Sequence, residues 1–193
     1  MKAQQADVDA IVAEGFEAGG HNGRDETTTL CLIPMVKQQI TIPLIAAGGI
    51  ASGGAMLACM ALGADGVQIG SRFVASYESS AHINFKKAVI NAKEGDTELT
   101  LKELTPVRLM KNEFHSSIKE AYSKNASIKE LSELLGRGRA KKGMFEGDLK
   151  NGELEIGQIA GIMEELLSAE QIITDLVKEF NEVQNKLSKI SME

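Results

Sequence analysis

The chain has 193 residues, a formal charge of −6 at pH 7 and 43% hydrophobic residues, the balance of one globular domain or a domain with an appendage. The acidic surplus speaks against a nucleic-acid partner, and the basic run RGRAKK at 137–142 is too short to overturn it. No apolar stretch approaches the roughly 18–20 residues of a membrane span and the first nine residues lack the core of a signal peptide, so no membrane partner and a cytoplasmic location are expected.

Cys31 and Cys59 have neither metal nor redox spacing and read as small buried hydrophobes. His21, His82 and His115 lie far apart without the i, i+4 spacing of a zinc pair, so no metal is expected.

In chain order, the first ten residues read as the tail of a helix entering a strand at Ile11–Ala13. That strand runs into Glu14–Gly23, EGFEAGGHNG, a loop whose glycines serve positive-φ backbone or close approach to a ligand. Thr27–Gln39 has the apolar order of a helix that the threonine run can cap.

The stretch Ile42–Phe73 organises the rest. Two short apolar runs, Leu44–Ala47 and Val67–Ile69, each end in glycine, and a helical segment joins them. This pattern predicts a βαβ unit. Ser52 would cap the helix, Met56, Leu57, Met60 and Ala61 would face the sheet, and Gly63 would stop it. Glycines at the carboxyl ends of parallel strands leave N–H groups free, and a helix start just beyond Gly49 adds its dipole; both favour a phosphate. Three glycine-marked strand ends in about 70 residues predict a parallel α/β barrel or doubly wound sheet, with the site along that edge.

Beyond Ser80 the pattern changes. Glu78–Gly147 reads as a small, largely helical appendage or lid, with apolar alternation over Asp96–Val107, helical periodicity over Asn112–Leu135 and a glycine-rich basic loop over Gly136–Gly147. Ile156–Leu187 reads as one helix broken near Ser168, or two, packing back on the strands.

For chemistry, His21 stands between glycines at a strand end, where an imidazole can move a proton or simply hydrogen-bond its own loop. Glu14 and Glu17 are candidate polar contacts, Arg24 and Arg72 candidate anion partners, and His82 and His115 read as surface residues. No nucleophile, base and orienter set is visible, so a bound cofactor with one histidine moving a proton fits better than hydrolysis.

The runs AEGFEAGGHNG at Ala13–Gly23, IPLIAAGGIA at Ile42–Ala51 and GVQIGSRF at Gly66–Phe73 closely resemble the nitronate monooxygenase (2-nitropropane dioxygenase) family. The same motifs occur in its near relative, the flavin-dependent enoyl-acyl-carrier-protein reductase. The resemblance extends to TPVRLMKNEF at Thr105–Phe114 and GQIAG at Gly157–Gly161.

It implies an α/β fold, the C-terminal part of an FMN-binding (β/α)8 barrel of which about three strands are present. Residues 1–77 would supply barrel strands and helices, 78–147 a small appended substrate domain, and 148–193 the closing helices. His21 would be the catalytic base. Gly48, Gly49, Gly70 and Ser71 would hold the FMN phosphate, and Glu14, Gly19, Gly20, Gln68 and Ile69 would lie along the flavin, with Gln158 reaching its ring side.

The expected reaction is oxidation of a nitronate or nitroalkane with O2. The alternative is NAD(P)H-dependent reduction of an enoyl thioester through FMN. Many nitronate monooxygenases carry Gln where this chain has Glu14, whereas the reductases commonly carry Glu, and both residues occur among proteins called monooxygenases. If these are the last three barrel strands, the first five are absent, leaving open sheet edges. The chain would then be an inactive fragment, one half of a split enzyme needing an N-terminal half, or part of a homo-oligomer. A dihydroorotate- or inosinate-type dehydrogenase is a further phosphate-binding barrel, and the GGHNG loop speaks against it.

Overall fold

The computed structural model describes residues 2–191. Helix α1 (Lys2–Gln5) leads into β1 (Ile11–Glu14), the two-residue β2 (Gly20–His21), α2 (Thr29–Lys37), β3 (Leu44–Ala47), α3 (Gly53–Ala61), β4 (Gly66–Gln68) and the single-turn α4 (Ser71–Val74). Then come α5 (Ile83–Ile90), β5 (Thr97–Thr100), β6 (Val107–Met110), α6 (Glu113–Ser123) and α7 (Ile128–Leu135). A π-turn at Lys141–Phe145, a 3₁₀ turn at Gln158–Ile162 and α8 (Ala169–Leu187) complete the order.

The strands form two three-stranded sheets, and neither closes into a barrel. The first has the order β1-β3-β4 and is wholly parallel, with Ala13 opposite Ala46 and Ala46 opposite Val67. Its central strand is the most enclosed, as expected for a parallel strand flanked on both edges and covered by helices: Leu44, Ala46 and Ala47 are buried. Helices α2 and α3 connect the strands in sequence, and α8 packs along α3. The Ser52 hydroxyl accepts from the Ala55 N–H and caps α3, and Gly63 follows its end with φ +107°, as the sequence predicts.

The second sheet is antiparallel, β2-β6-β5, with His21 opposite Val107. All four residues of β6 are buried, including Arg108. Its guanidinium lies over the Phe16 ring, 4.6 Å from the centroid, and donates to the Phe16 carbonyl at 2.8 Å. One side chain thus fastens the loop after β1 to the second sheet, and that sheet takes its strands from both halves of the chain.

Several expectations are corrected. The stretch 78–147 is not simply helical, because Thr97–Thr100 and Val107–Met110 are paired strands. Alternation over so short a run marks the strand, and the partner strand supplies the hydrogen bonds that settle it. On α3 it is Ala55, Cys59 and Leu62 that pack toward the sheet, while Met60 and Ala61 are exposed. Cys59 is buried as expected, but Cys31 is exposed on the outer face of α2. His115 is buried at 3% exposure, not on the surface, because its position on α6 turns inward beside Phe114 and Ile118. Ile156–Leu187 is neither one broken helix nor two: Gln158–Ile162 is a 3₁₀ turn, the chain to Ser168 is not helical, and Ser168 opens α8, capping it by accepting from the Gln171 N–H. Among the described residues no helix is long and apolar enough to cross a membrane.

Candidate functional site

β1, β3 and β4 end along one edge, and the chain beyond each lines a single cleft of about 180 Å³. Glu14 and Gly19 come from the first strand end, Gly48 and Gly49 from the second, and Gln68, Gly70 and Ser71 from the third. Met144, Glu155 and Ile156 face them from the rest of the chain. The Gly15 N–H donates to the Ala47 carbonyl at 2.9 Å, which draws the first two loops together. Gly48 has φ +93°, and a Cβ there would lie 2.7 Å from the Gly15 carbonyl oxygen, so only glycine fits this contact. At Gly70 a Cβ would meet nothing within 4 Å: the backbone at the start of α4 faces open space.

Two of the three helix starts along this edge are sealed from within. The Glu17 carboxylate accepts from the Thr29 N–H at 3.0 Å and the Thr29 hydroxyl at 2.9 Å, closing the start of α2. Glu179, on α8, accepts from the Gly53 N–H at 2.9 Å and closes the start of α3. The expectation that the helix start beyond Gly49 helps to bind a phosphate is therefore corrected, since a carboxylate already satisfies those donors. The start of α4 has no side-chain cap. Ser71 accepts from the Gly157 N–H at 3.0 Å, which leaves its own hydroxyl proton free to be donated.

Seven of the predicted residues, Glu14, Gly19, Gly48, Gly49, Gln68, Gly70 and Ser71, thus meet in one cleft. The other four stand apart from its lining. Gly20 is buried with φ +77°, directly behind the Glu155 carboxyl group. His21 is exposed on β2, near enough for its charge to act on Glu153 and Glu155. Ile69 packs into the core beneath β3. Gln158 lines a second, mainly apolar cleft of about 350 Å³ with Glu17, Cys59 and Ile162, and its backbone N–H donates to the Glu17 carbonyl at 2.9 Å.

The Asn22 side chain donates to the carbonyls of Ala18 and Gly20, both at 3.0 Å, and its N–H donates to Pro106, holding the GGHN turn against the second sheet. Arg24 and Arg72 serve backbone carbonyls: Arg24 donates to Lys102 and Leu104, and Arg72 to Glu165.

Sequence reasoning passes over Met144, Glu153 and Glu155. A π-turn carries Met144 to the cleft. The two glutamates alternate with buried Leu154 and Ile156 just before Gly157, and this period-two pattern is the signal that marks them. Burial pushes up the Glu14 carboxyl pKa. For Glu155 burial also raises it, with His21 opposing. Glu153 is raised to about 6, by burial first and by neighbouring Glu155 second, against the charges of His21 and Arg139.

Comparison with known proteins matches residues 1–179 to the sequence profile of the family described as nitronate monooxygenase. A probable nitronate monooxygenase of Staphylococcus saprophyticus is 34% identical over 194 residues, covering 95% of this chain and 54% of that protein. The chain therefore spans about half the length of that relative. Among solved structures, FabK from Thermotoga maritima superposes with a TM-score of 0.89 at 41% identity, over 97% of this chain and 59% of that one. Nitroalkane oxidase from Streptomyces ansochromogenes superposes with a TM-score of 0.80 at 30% identity, over 96% and 55%.

Proposed function

This chain belongs to the nitronate monooxygenase family, and on that premise we propose that its cleft holds the phosphate end of FMN in a flavin-dependent oxidoreductase acting on nitronates or nitroalkanes. The carrying observation is the convergence of Gly48, Gly49, Gly70 and Ser71 on one cleft while Glu17 and Glu179 seal the neighbouring helix starts. The donor set suits a phosphate: backbone N–H groups at two strand ends, the uncapped start of α4 and the free proton of Ser71. A barrel of the (β/α)8 type places its phosphate site at the loops after the last two strands and the start of a short extra helix. We place β3, β4 and α4 in those positions of such a barrel, with residues 78–147 as the substrate-side unit and 148–191 as the closing segment, whose Glu155, Ile156 and Ile159 line the cleft.

FMN, when bound, supplies the two-electron chemistry between the substrate and O2. The chain's own residues do the rest. His21, held on β2 by the Asn22 hydrogen bonds, takes the acidic α-proton of a nitroalkane at an imidazole nitrogen. Met144, Ile156 and Ile159 wall the cleft against water. Gln68 and Gly19 line the cleft beside the phosphate cradle.

A second reading, reduction of an enoyl thioester by NAD(P)H, is favoured by Glu14, the residue that the flavin-dependent enoyl reductases commonly carry, here lining the cleft. Anaerobic mixing of the FMN-loaded protein separates the two. Bleaching of the flavin absorbance by a nitronate alone is the expected result, with His21→Asn retaining FMN but losing turnover on a nitroalkane. Rapid bleaching by NADH or NADPH and none by a nitronate would replace the first reading with the second. A protein that takes up no FMN overturns both.

A further inference from the structure

Residues 153–156 run past the edge of β6 just where β2 leaves it. The Met110 N–H donates to the Leu154 carbonyl at 2.9 Å, and Leu109 bridges to Glu155, while Arg108 and Val107, the preceding residues of β6, pair with Gly20 and His21. Gly20–His21 and Leu154–Glu155 are therefore neighbours along one strand edge, although more than a hundred residues separate them. The Glu155 carboxyl group fills the space a side chain at residue 20 would occupy: a Cβ on Gly20 would lie 2.6 Å from its Oε2. With φ +77°, Gly20 turns the backbone so that this carboxyl group comes against the peptide that leads into His21.

We propose that Glu155, backed by Glu153, is a positioning residue for His21: its carboxylate stands on the wall shared by the cleft and β2, where it steadies the positive charge the imidazole gains on taking a proton. This rests on the reading of His21 as the base.

The surroundings leave His21 as the cation these carboxylates serve. Arg139 also acts on Glu153, but its guanidinium donates to the carbonyls of Leu134, Leu135 and Asn151, all at 2.8 Å, and stacks on Phe114. Glu14 also lines the cleft and adds no positive charge. The Glu153 side chain is buried and Glu155 half-buried, while His21 beside them is exposed. Both carboxyl groups are held high by burial, and the charge of His21 works against that rise on each.

The protein carrying this chain is tested loaded with FMN, in two measurements. In the first, glutamate carboxyl carbons are labelled with ¹³C and titrated by NMR in the wild type and in His21→Asn, an exposed position where the fold tolerates change. The Glu153 and Glu155 midpoints, assigned through Glu153→Gln and Glu155→Gln, should both move upward when the imidazole is removed. In the second, Glu155→Gln should lower kcat on a nitroalkane by roughly tenfold with KM unmoved, and Glu155→Asp should recover part of the loss. Unmoved midpoints, or an unchanged kcat in Glu155→Gln, overturn the proposal. Loss of turnover in His21→Asn together with unmoved midpoints leaves His21 standing as the base and overturns only the role of Glu155. Retained turnover in His21→Asn overturns both.

Discussion

Glu179 and Gly53 are joined across 126 residues by a 2.9 Å hydrogen bond, in which the glutamate carboxylate on α8 accepts from the backbone N–H that opens α3. The C-terminal helix thereby caps the helix that follows the phosphate-type turn. Glu179→Ala should lower unfolding free energy by about 1 kcal/mol, the usual worth of a lost cap with its dipole contribution. Urea denaturation measures it. A variant as stable as the wild type would show that the Gly53 N–H is equally well satisfied by water.

Gly48→Ala combines two penalties, a left-handed backbone at φ +93° and a Cβ 2.7 Å from the Gly15 carbonyl oxygen. The backbone alone costs about 1–2 kcal/mol for an L-residue, and the overlap adds to it. The expected outcome is a loss of at least about 2 kcal/mol of stability with loss of flavin absorbance in the purified protein. Full FMN retention in a stable variant would remove Gly48 from the cradle.

Ser71→Ala deprives the buried Gly157 N–H of its 3.0 Å acceptor and removes the hydroxyl proton assigned to the phosphate. An unpaired buried donor costs about 1–3 kcal/mol. FMN affinity, read by flavin fluorescence, should fall roughly tenfold, corresponding to about 1.4 kcal/mol. Ser71→Thr should keep most of both. Equal affinity in Ser71→Ala would place the phosphate elsewhere.

Glu153 supplies a pH test. Burial first, then Glu155, raises its carboxyl from 4.5 to about 6 in the folded protein. The folded state then holds this proton more tightly than the unfolded one. Its contribution to stability is complete below pH 4.5 and is lost as pH rises through about 6, a change of about 2 kcal/mol. Glu153→Gln should match the wild type near pH 4 and exceed its stability by up to about 2 kcal/mol above pH 7. Denaturant midpoints at the two pH values check it, and an identical offset at both would dissociate Glu153 from the effect.

Much of the first sheet is legible in the chain. Ile11–Glu14, Leu44–Ala47 and Gly66–Gln68 are strands at or within a residue of where the apolar runs stand, and Ser52 caps the helix whose start it marks. These features are local: a strand's hydrophobic run, its closing glycine and a cap's hydroxyl act within a few residues. The glycines that close the strands are legible for the same reason, since each strand brings its own end to the common edge, whereas Ser71 is marked by the family resemblance.

What sequence alone determined is this set of strand ends and the donors they carry. Tertiary structure decided which donors remain open, because the carboxylates that seal α2 and α3 come from a loop and from the far end of the chain. It also decided that Gly20–His21 joins β6, that Glu155 stands behind Gly20, and that His115 turns inward while Cys31 faces out. Each of these depends on groups distant in sequence meeting through one hydrogen bond or one packed face, and a local pattern carries no term for such a meeting.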